Sequence, residues 1–239
     1  MSTTTPPTQD SLNGHGPSSE AGGSNIVTLE QHILAEEAKH PGATGQFSWI
    51  LSALSFSAKF ISSMIRRARL NDILGALDAS NIQGEKQEKL DVLANETLLR
   101  TLGTRGAVAV LASEEDKSPT ILKSHEDRSY CVLFDPLDGS SNLDTNASVG
   151  TIFSILRHRE DADPPEASLL QSGLQQVAAG YIVYGSSTVF VFTTGNGVDM
   201  FVLDPLIGSF FLVERSLKIP QSKRSYSVNE AYRASFPKG

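Results

Sequence analysis

Cysteine is almost absent from this chain: among 239 residues, Cys131 carries the sole thiol. An intrachain disulfide is excluded, which fits a reducing compartment, and the thiol sits in an apolar stretch where it reads as a small core side chain. The first 24 residues contain no Lys or Arg, which excludes a basic organelle transit peptide. They also lack an apolar h-region, which excludes a secretory signal. This Thr-, Pro-, Gly- and Ser-rich opening, Met1 to about Ser24, reads as a disordered tail. No apolar run reaches bilayer length, so no membrane partner is expected. Positive charge is scarce, with 20 Lys and Arg against 27 Asp and Glu, a net charge of -7 and a pI near 5.2. That balance argues against nucleic acid as a main partner. An acidic chain that takes a phosphorylated ligand needs a local source of positive charge, and metal ions supply one. Internal repeats are missing too.

What remains suits a soluble globular protein: 39% hydrophobic and 20% charged residues, in a length sufficient for one large domain or for one domain and part of a second. The most informative stretch is Phe134-Asp135-Pro136-Leu137-Asp138-Gly139-Ser140-Ser141-Asn142. The apolar run Tyr130 to Phe134 before it reads as a buried strand, expected to stop at Pro136, which has no N–H for a ladder. Asp135 and Asp138 then lie in a turn at a strand end. Hard divalent cations take oxygen ligands, and Mg²⁺ is commonly held by one or two carboxylates plus substrate phosphate. Gly139, Ser140 and Ser141 are small, and a turn of such residues opening a helix offers backbone N–H groups to an anion. The plainer reading is an Asp/Gly/Ser connection, since these residues favour turns for local reasons.

Thr28 to Lys39 reads as a first helix, ended by Pro41 and Gly42. A long amphipathic helix follows from Thr44 to about Arg69. Phe47, Ile50, Leu51, Leu54, Ala58, Ile61 and Ile65 recur there at helical spacing, and that face is core or subunit interface. Leu70 to Gly84 is irregular and reads as a short helix and a mobile loop. Glu85 to Thr101 forms a third helix, stopped by Gly103. Asp91 lies within it; a lone helical Asp is ordinarily surface charge. Ala107 to Leu111 is a strand that runs out into Ala112-Ser113-Glu114-Glu115. Adjacent glutamates are common on surfaces, yet the pattern repeats that at Asp135: a strand, then carboxylates. If the two strands are neighbours, the acids converge at one end of a sheet and repel one another unless cations sit among them. Beyond Thr151 to Arg157 comes a surface loop, Asp161 to Gly173. A meander of strands at 177–184, 188–193, 198–203 and 210–214 follows. Near the end, Ser227 or Asn229 reads as a helix cap. The fold class is α+β, helices first and then a mostly antiparallel sheet, layered as a sandwich.

Phe134 to Asn142 resembles the metal-binding signature of class 1 fructose-1,6-bisphosphatases, within the lithium-sensitive, Mg²⁺-dependent sugar and inositol phosphatase superfamily. The wider superfamily shares Asp-Pro-hydrophobic-Asp-Gly and a small hydroxyl residue. The Ser140-Ser141-Asn142 continuation and Ser148-Val149-Gly150-Thr151-Ile152-Phe153 resemble the fructose-bisphosphatase branch in particular. The likeness runs from about Asn25 to the last residue.

This resemblance implies a layered sugar-phosphatase sandwich, with an N-terminal domain at 25–216 and the start of a truncated C-terminal domain at 217–239. It implies two or more Mg²⁺ ions, with Mn²⁺ a substitute, held by Glu114, Glu115, Asp135, Asp138 and the carbonyl of Leu137. Asp91, in Leu90-Asp91-Val92-Leu93, would work with Glu115 to activate water. Asp138 and the N–H groups of Gly139, Ser140 and Ser141 would bind the 1-phosphate of fructose 1,6-bisphosphate, and Asn229 the 6-phosphate. The product would be fructose 6-phosphate, in gluconeogenesis or Calvin-type metabolism. A cytoplasmic homotetramer is the expected setting. The Leu70–Gly84 region resembles a loop that closes over the metals, and Glu85 stands where the family often has Asp. Thr44 to Ser48, Tyr130 and Arg157 resemble parts of an AMP pocket, but Ser129 replaces a Lys and Gln46 a Glu, so weak AMP inhibition or none is expected. Family members continue for roughly another hundred residues, enough for most of a second domain. Those residues include an aromatic-Glu-x-x-Pro segment with a further metal ligand, absent here. Two alternatives follow: a catalytically impaired fragment acting as a metal- or phosphate-binding subunit, or another phosphatase of the superfamily acting on an inositol phosphate.

Overall fold

The computed structural model describes residues 26–39, 43–68, 70, 76–80, 86–104, 106–122 and 130–221, with the backbone alone at 76–80, 86–88 and 144. The expected tail at 1–24, Glu85, Ser129 and Asn229 lie outside the described residues.

Helix α1, Leu29–Glu37, starts where Thr28 forms a capping box: Gln31 N donates to Thr28 Oγ1 at 3.1 Å and Thr28 N donates to Gln31 Oε1 at 3.0 Å. Helix α2, Gln46–Arg67, follows Gly45, whose φ of +76° suits a residue without a Cβ. It is long and apolar enough, by length and composition alone, to cross a membrane, contrary to the expectation that no segment is. Its buried face, including Ile50, Leu51, Leu54, Ala58 and Ile61, is instead part of the core. The irregular stretch after it contains strand β1, Ala76–Ser80, paired antiparallel with β2, Lys86–Glu88. Helix α3 therefore begins later than periodicity suggested, at Lys89, and ends at Gly103.

Among the described residues, the main sheet has eight strands in the order β10-β9-β8-β7-β6-β5-β3-β4. Strands β3 (Val108–Ser113), β4 (Thr120–Ile121), β5 (Tyr130–Asp138), β6 (Val149–Arg157) and β7 (Gln176–Tyr184) come first in the chain. Strands β8 (Thr188–Thr193), β9 (Val198–Asp204) and β10 (Ser209–Glu214) complete the sheet. Every pairing is antiparallel except β3 with β5. The expected surface loop at 161–173 is real but contains a short 3-10 helix, Pro165–Leu169.

The three helices and one face of the sheet share a continuous core. A phenylalanine cluster anchors it, with Phe190 within 5.5–5.8 Å, centroid to centroid, of Phe153, Phe192 and Phe210. Buried His32 ties α1 to β9 through Asp199 at 3.1 Å. On the other face, Cys131 packs with Ala109, Val110 and Leu156, and burial pushes its thiol up to about 11. The rest of that face is a hollow of about 690 Å³ lined by Leu133, Ile152, Ala179, Tyr181 and Val191, and also by Glu114 and Asp135.

Candidate metal and phosphate site

The parallel pairing of β3 with β5 aligns Ser113 with Phe134. Parallel strands point to the same end of a sheet, so Glu114, the residue after β3, comes level with Asp135 of β5. The Glu114 N–H donates to the Phe134 carbonyl at 3.0 Å, extending the ladder into the acidic turn. The condition that the sequence set for such a convergence, neighbouring strands, is met for β3 and β5.

Strand β5 does not stop at Pro136; it runs on to Asp138. The reason is a register shift: Asp135 faces Ile152 and Asp138 faces Gly150, so three steps along β5 match two along β6. Residues three apart in a regular strand point to opposite faces, and one bulged residue returns them to the same face. Pro136 sits inside the bulge, where a missing donor is tolerated. Its carbonyl accepts from Thr151 Oγ1 at 2.8 Å, and Thr151 Oγ1 is 2.8 Å from the Tyr184 hydroxyl. Thr151 and Tyr184 are both buried, and burial raises the Tyr184 pKa strongly. The phenol stays protonated and donates, so the chain Tyr184 to Thr151 to Pro136 pins the bulge. Leu137 buries its side chain in the core, and its N–H donates to Asp135 Oδ1 at 3.0 Å.

Asp135 is half-buried and its pKa rises to about 6. Loss of solvent is the main cause; Asp138, Glu114 and Asp91 add like-charge repulsion, while the Leu137 N–H opposes both. Asp91 of α3, Glu114 after β3 and Asp138 past the bulge thus all act electrostatically on Asp135. Asp91 is buried on α3 rather than being the surface charge a lone helical Asp ordinarily is. Glu115 follows Glu114 in the turn, with its N–H held by Ser113 Oγ at 3.3 Å. Among the described residues, no three His, Cys, Asp or Glu side chains already enclose a position for one ion. The donor set still suits Mg²⁺, which needs only one or two carboxylates beside phosphate and water oxygens. A cation would relieve the repulsion that raises Asp135.

Gly139, at φ +80°, turns the chain into a 3-10 helix, Ser140–Thr145. The first N–H groups of a helix have no partner within it, and these follow directly on Asp138.

A family model described as "Fructose-1-6-bisphosphatase, N-terminal domain" matches residues 27–215. The chain belongs to the fructose-1,6-bisphosphatase family. The class 1 enzyme of Chloroherpeton thalassium is 46% identical over 217 residues, covering 90% of this chain and 62% of that protein. The class 1 enzyme of Persephonella marina is 50% identical over 205 residues, covering 86% and 63%. The crystal structure of Leishmania major fructose-1,6-bisphosphatase in holo form superposes with a TM-score of 0.81 at 39% identity, over 87% of this chain and 64% of that one. The chain thus spans under two thirds of the length of these relatives. The α+β fold expected of the fructose-bisphosphatase family is the one observed.

Two supports of the site were not legible beforehand. Asn95, one turn after Asp91 on α3, donates from Nδ2 to Asp116 Oδ1 at 3.0 Å and so ties the Glu114–Glu115 turn to the helix. Its signal was the i, i+4 spacing from Asp91. Thr151 lies in the 148–153 motif used for the resemblance, but its partner Tyr184 is a strand away. At the other end of β5, Arg157 stacks 4.6 Å over the Tyr130 ring and Phe47 lies 6.0 Å from it. Those three expected AMP-pocket residues come together. Beside them, Ser48 Oγ donates to the Glu37 carboxylate at the start of α2.

Proposed function

We propose that this chain carries the metal and 1-phosphate half of a fructose-1,6-bisphosphatase, hydrolysing D-fructose 1,6-bisphosphate to D-fructose 6-phosphate and phosphate. The observation that carries the reading is the electrostatic gathering of Asp91, Glu114, Asp135 and Asp138 at the shared end of β3 and β5. Phosphate-monoester hydrolysis is extremely slow without catalysis. It needs an activated water, neutralised phosphoryl charge and a stabilised leaving oxygen. Two or more Mg²⁺ ions, or Mn²⁺ in their place, would supply Lewis acidity and charge neutralisation when bound. Glu114, Glu115, Asp135, Asp138 and the Leu137 carbonyl are the oxygens that would hold them. Asp138 and the N–H groups of Gly139, Ser140 and Ser141 orient the 1-phosphate. Asp91, with Glu115, takes the proton from the attacking water; Asp91's burial keeps it fixed in place. Asn229 is assigned to the 6-phosphate by resemblance alone. Assembly as a homotetramer in the cytoplasm completes the reading.

Purified chain given Mg²⁺ and fructose 1,6-bisphosphate should release phosphate, and D91N should lower kcat by about a hundredfold or more. Failure of the wild-type chain beside an active relative would refute catalysis by this polypeptide. Mg²⁺ and phosphate binding without turnover would leave the binding-subunit reading. Release from an inositol phosphate instead would reassign the substrate. Weak AMP inhibition is also proposed, supported by the Glu37 carboxylate beside the α2 start, where it repels an incoming phosphate. E37Q should raise AMP sensitivity in a titration of activity; no change would count against that account.

A further inference from the structure

Tyr184 closes β7 opposite Val149 of β6, and Thr151 lies opposite Ile182. Val149, Thr151, Ile182 and Tyr184 are all buried, so they share the core face of the sheet. A diagonal neighbour across two strands lies about 7–8 Å away, within reach of an aromatic side chain. Tyr184 spans that diagonal and brings its hydroxyl to 2.8 Å from Thr151 Oγ1, which in turn lies 2.8 Å from the Pro136 carbonyl oxygen.

Counting protons fixes the direction of this relay. A carbonyl can only accept, so the single Thr151 proton goes to Pro136. Thr151 Oγ1 then has only lone pairs to offer, and Tyr184 donates to it. The relay continues through the backbone. The Pro136 carbonyl and the Leu137 N–H belong to one planar peptide. The first accepts from Thr151, and the second donates to Asp135 Oδ1 at 3.0 Å. That peptide cannot rotate without straining both bonds. Accepting at its oxygen also polarises it and strengthens the donor at its nitrogen. A hydroxyl on β7 thus acts on a carboxylate of β5. A tyrosine that served burial alone would need only some partner for its hydroxyl.

We propose that Tyr184 is a positioning residue of the metal site: through Thr151 and the Pro136–Leu137 peptide it fixes the orientation of the Asp135 carboxylate and so biases the site toward Mg²⁺ over Ca²⁺. The two ions differ in what they demand. Mg²⁺ requires near-octahedral geometry at about 2.0–2.1 Å, whereas Ca²⁺ accepts longer bonds, variable coordination and carboxylates bound by both oxygens. With Oδ1 engaged by the Leu137 N–H, Asp135 is held back from turning both oxygens to one ion. Loosening the relay therefore harms the stricter ion more. Partners that orient a metal ligand typically matter by about ten- to a hundredfold in affinity.

The inference rests on the metal reading of the proposed function and adds a residue and a selectivity to it. Isothermal titration calorimetry of the full chain, with inorganic phosphate present, reads MgCl₂ and CaCl₂ binding separately and needs no turnover. Y184F, which removes one hydroxyl and keeps the ring, should weaken Mg²⁺ binding by about tenfold and leave Ca²⁺ nearly unchanged. T151V should do the same, and T151S, which keeps the hydroxyl, should restore the wild-type preference. Circular dichroism establishes that each variant is folded; if Y184F does not fold, the T151V and T151S pair decides. Equal loss of both ions, as general weakening of the fold would give, overturns the inference, and so does T151S behaving like T151V. In either case Mg²⁺ binding by the wild type leaves the metal site standing. Wild-type chain that binds neither ion overturns the metal site and this inference with it.

Discussion

Asp135 shows how one residue can carry both a cost and a proposed function. It gives up solvent and faces three other carboxylates, so its ionised form is disfavoured in the fold and its pKa rises to about 6 from an ordinary 3.8. A carboxyl with a raised folded pKa contributes stability while protonated, and that contribution is lost as pH rises through about 6. At neutral pH the metal-free wild type therefore bears a penalty that an asparagine would not, while Asn could still accept from the Leu137 N–H. Metal-free D135N should melt ~2–4 °C higher than wild type at pH 7.5, with the gain fading below pH 6. Calorimetry across that range checks it, and a gain that grows at low pH would contradict the sign. Asp135 was legible as a candidate because it follows an apolar strand. Its raised pKa was not, because its burial and two of its charged neighbours, Glu114 and Asp91, depend on other parts of the fold.

At the scale of elements, the meander strands keep their register through glycine. A Cβ on Gly180 would lie 2.5 Å from the Val191 carbonyl oxygen and 2.6 Å from the Phe153 ring. On Gly150 it would lie 2.8 Å from the Ile182 carbonyl oxygen. Both obstacles include backbone, which cannot swing aside. Gly180 is also what admits the Phe153 ring to the Phe190 cluster. G180A should cost about 3 kcal/mol or leave the protein insoluble, as urea melts and soluble yield would reveal. The strands themselves were readable from alternation and turn residues. Neither the β5 bulge nor β1 and β2 were readable, because Pro136 looked like a stop and the Leu70–Gly84 region has no clear period. Those features are set by pairing across the sheet rather than by local preference.

Over the whole molecule, the acids form a device that should couple metal binding to stability. Any ion that binds the fold and not the unfolded chain stabilises it by mass action, about 2.7 kcal/mol at a hundred times its Kd. Saturating Mg²⁺ should raise the Tm by roughly 5–10 °C, and EDTA should reverse the rise. The response should vanish in D138N and D135N, as a thermal shift series would test. An equal response in those variants would place the ion elsewhere.

By itself, the sequence determined the pieces. The capping box at Thr28, the apolar face of α2, the alternation of the later strands and the two stretches of strand followed by carboxylates are all patterns among near neighbours in the chain. Local propensity and side-chain period are enough to express them. The site itself was decided only by tertiary structure. The parallel pairing of β3 with β5 set Glu114 beside Asp135, the bulge turned Asp138 to the same face, and Thr151, Tyr184 and Asn95 hold the arrangement. Such contacts join residues far apart in the chain. They depend on which strands pair and in what register, and the burial of the whole core fixes that choice.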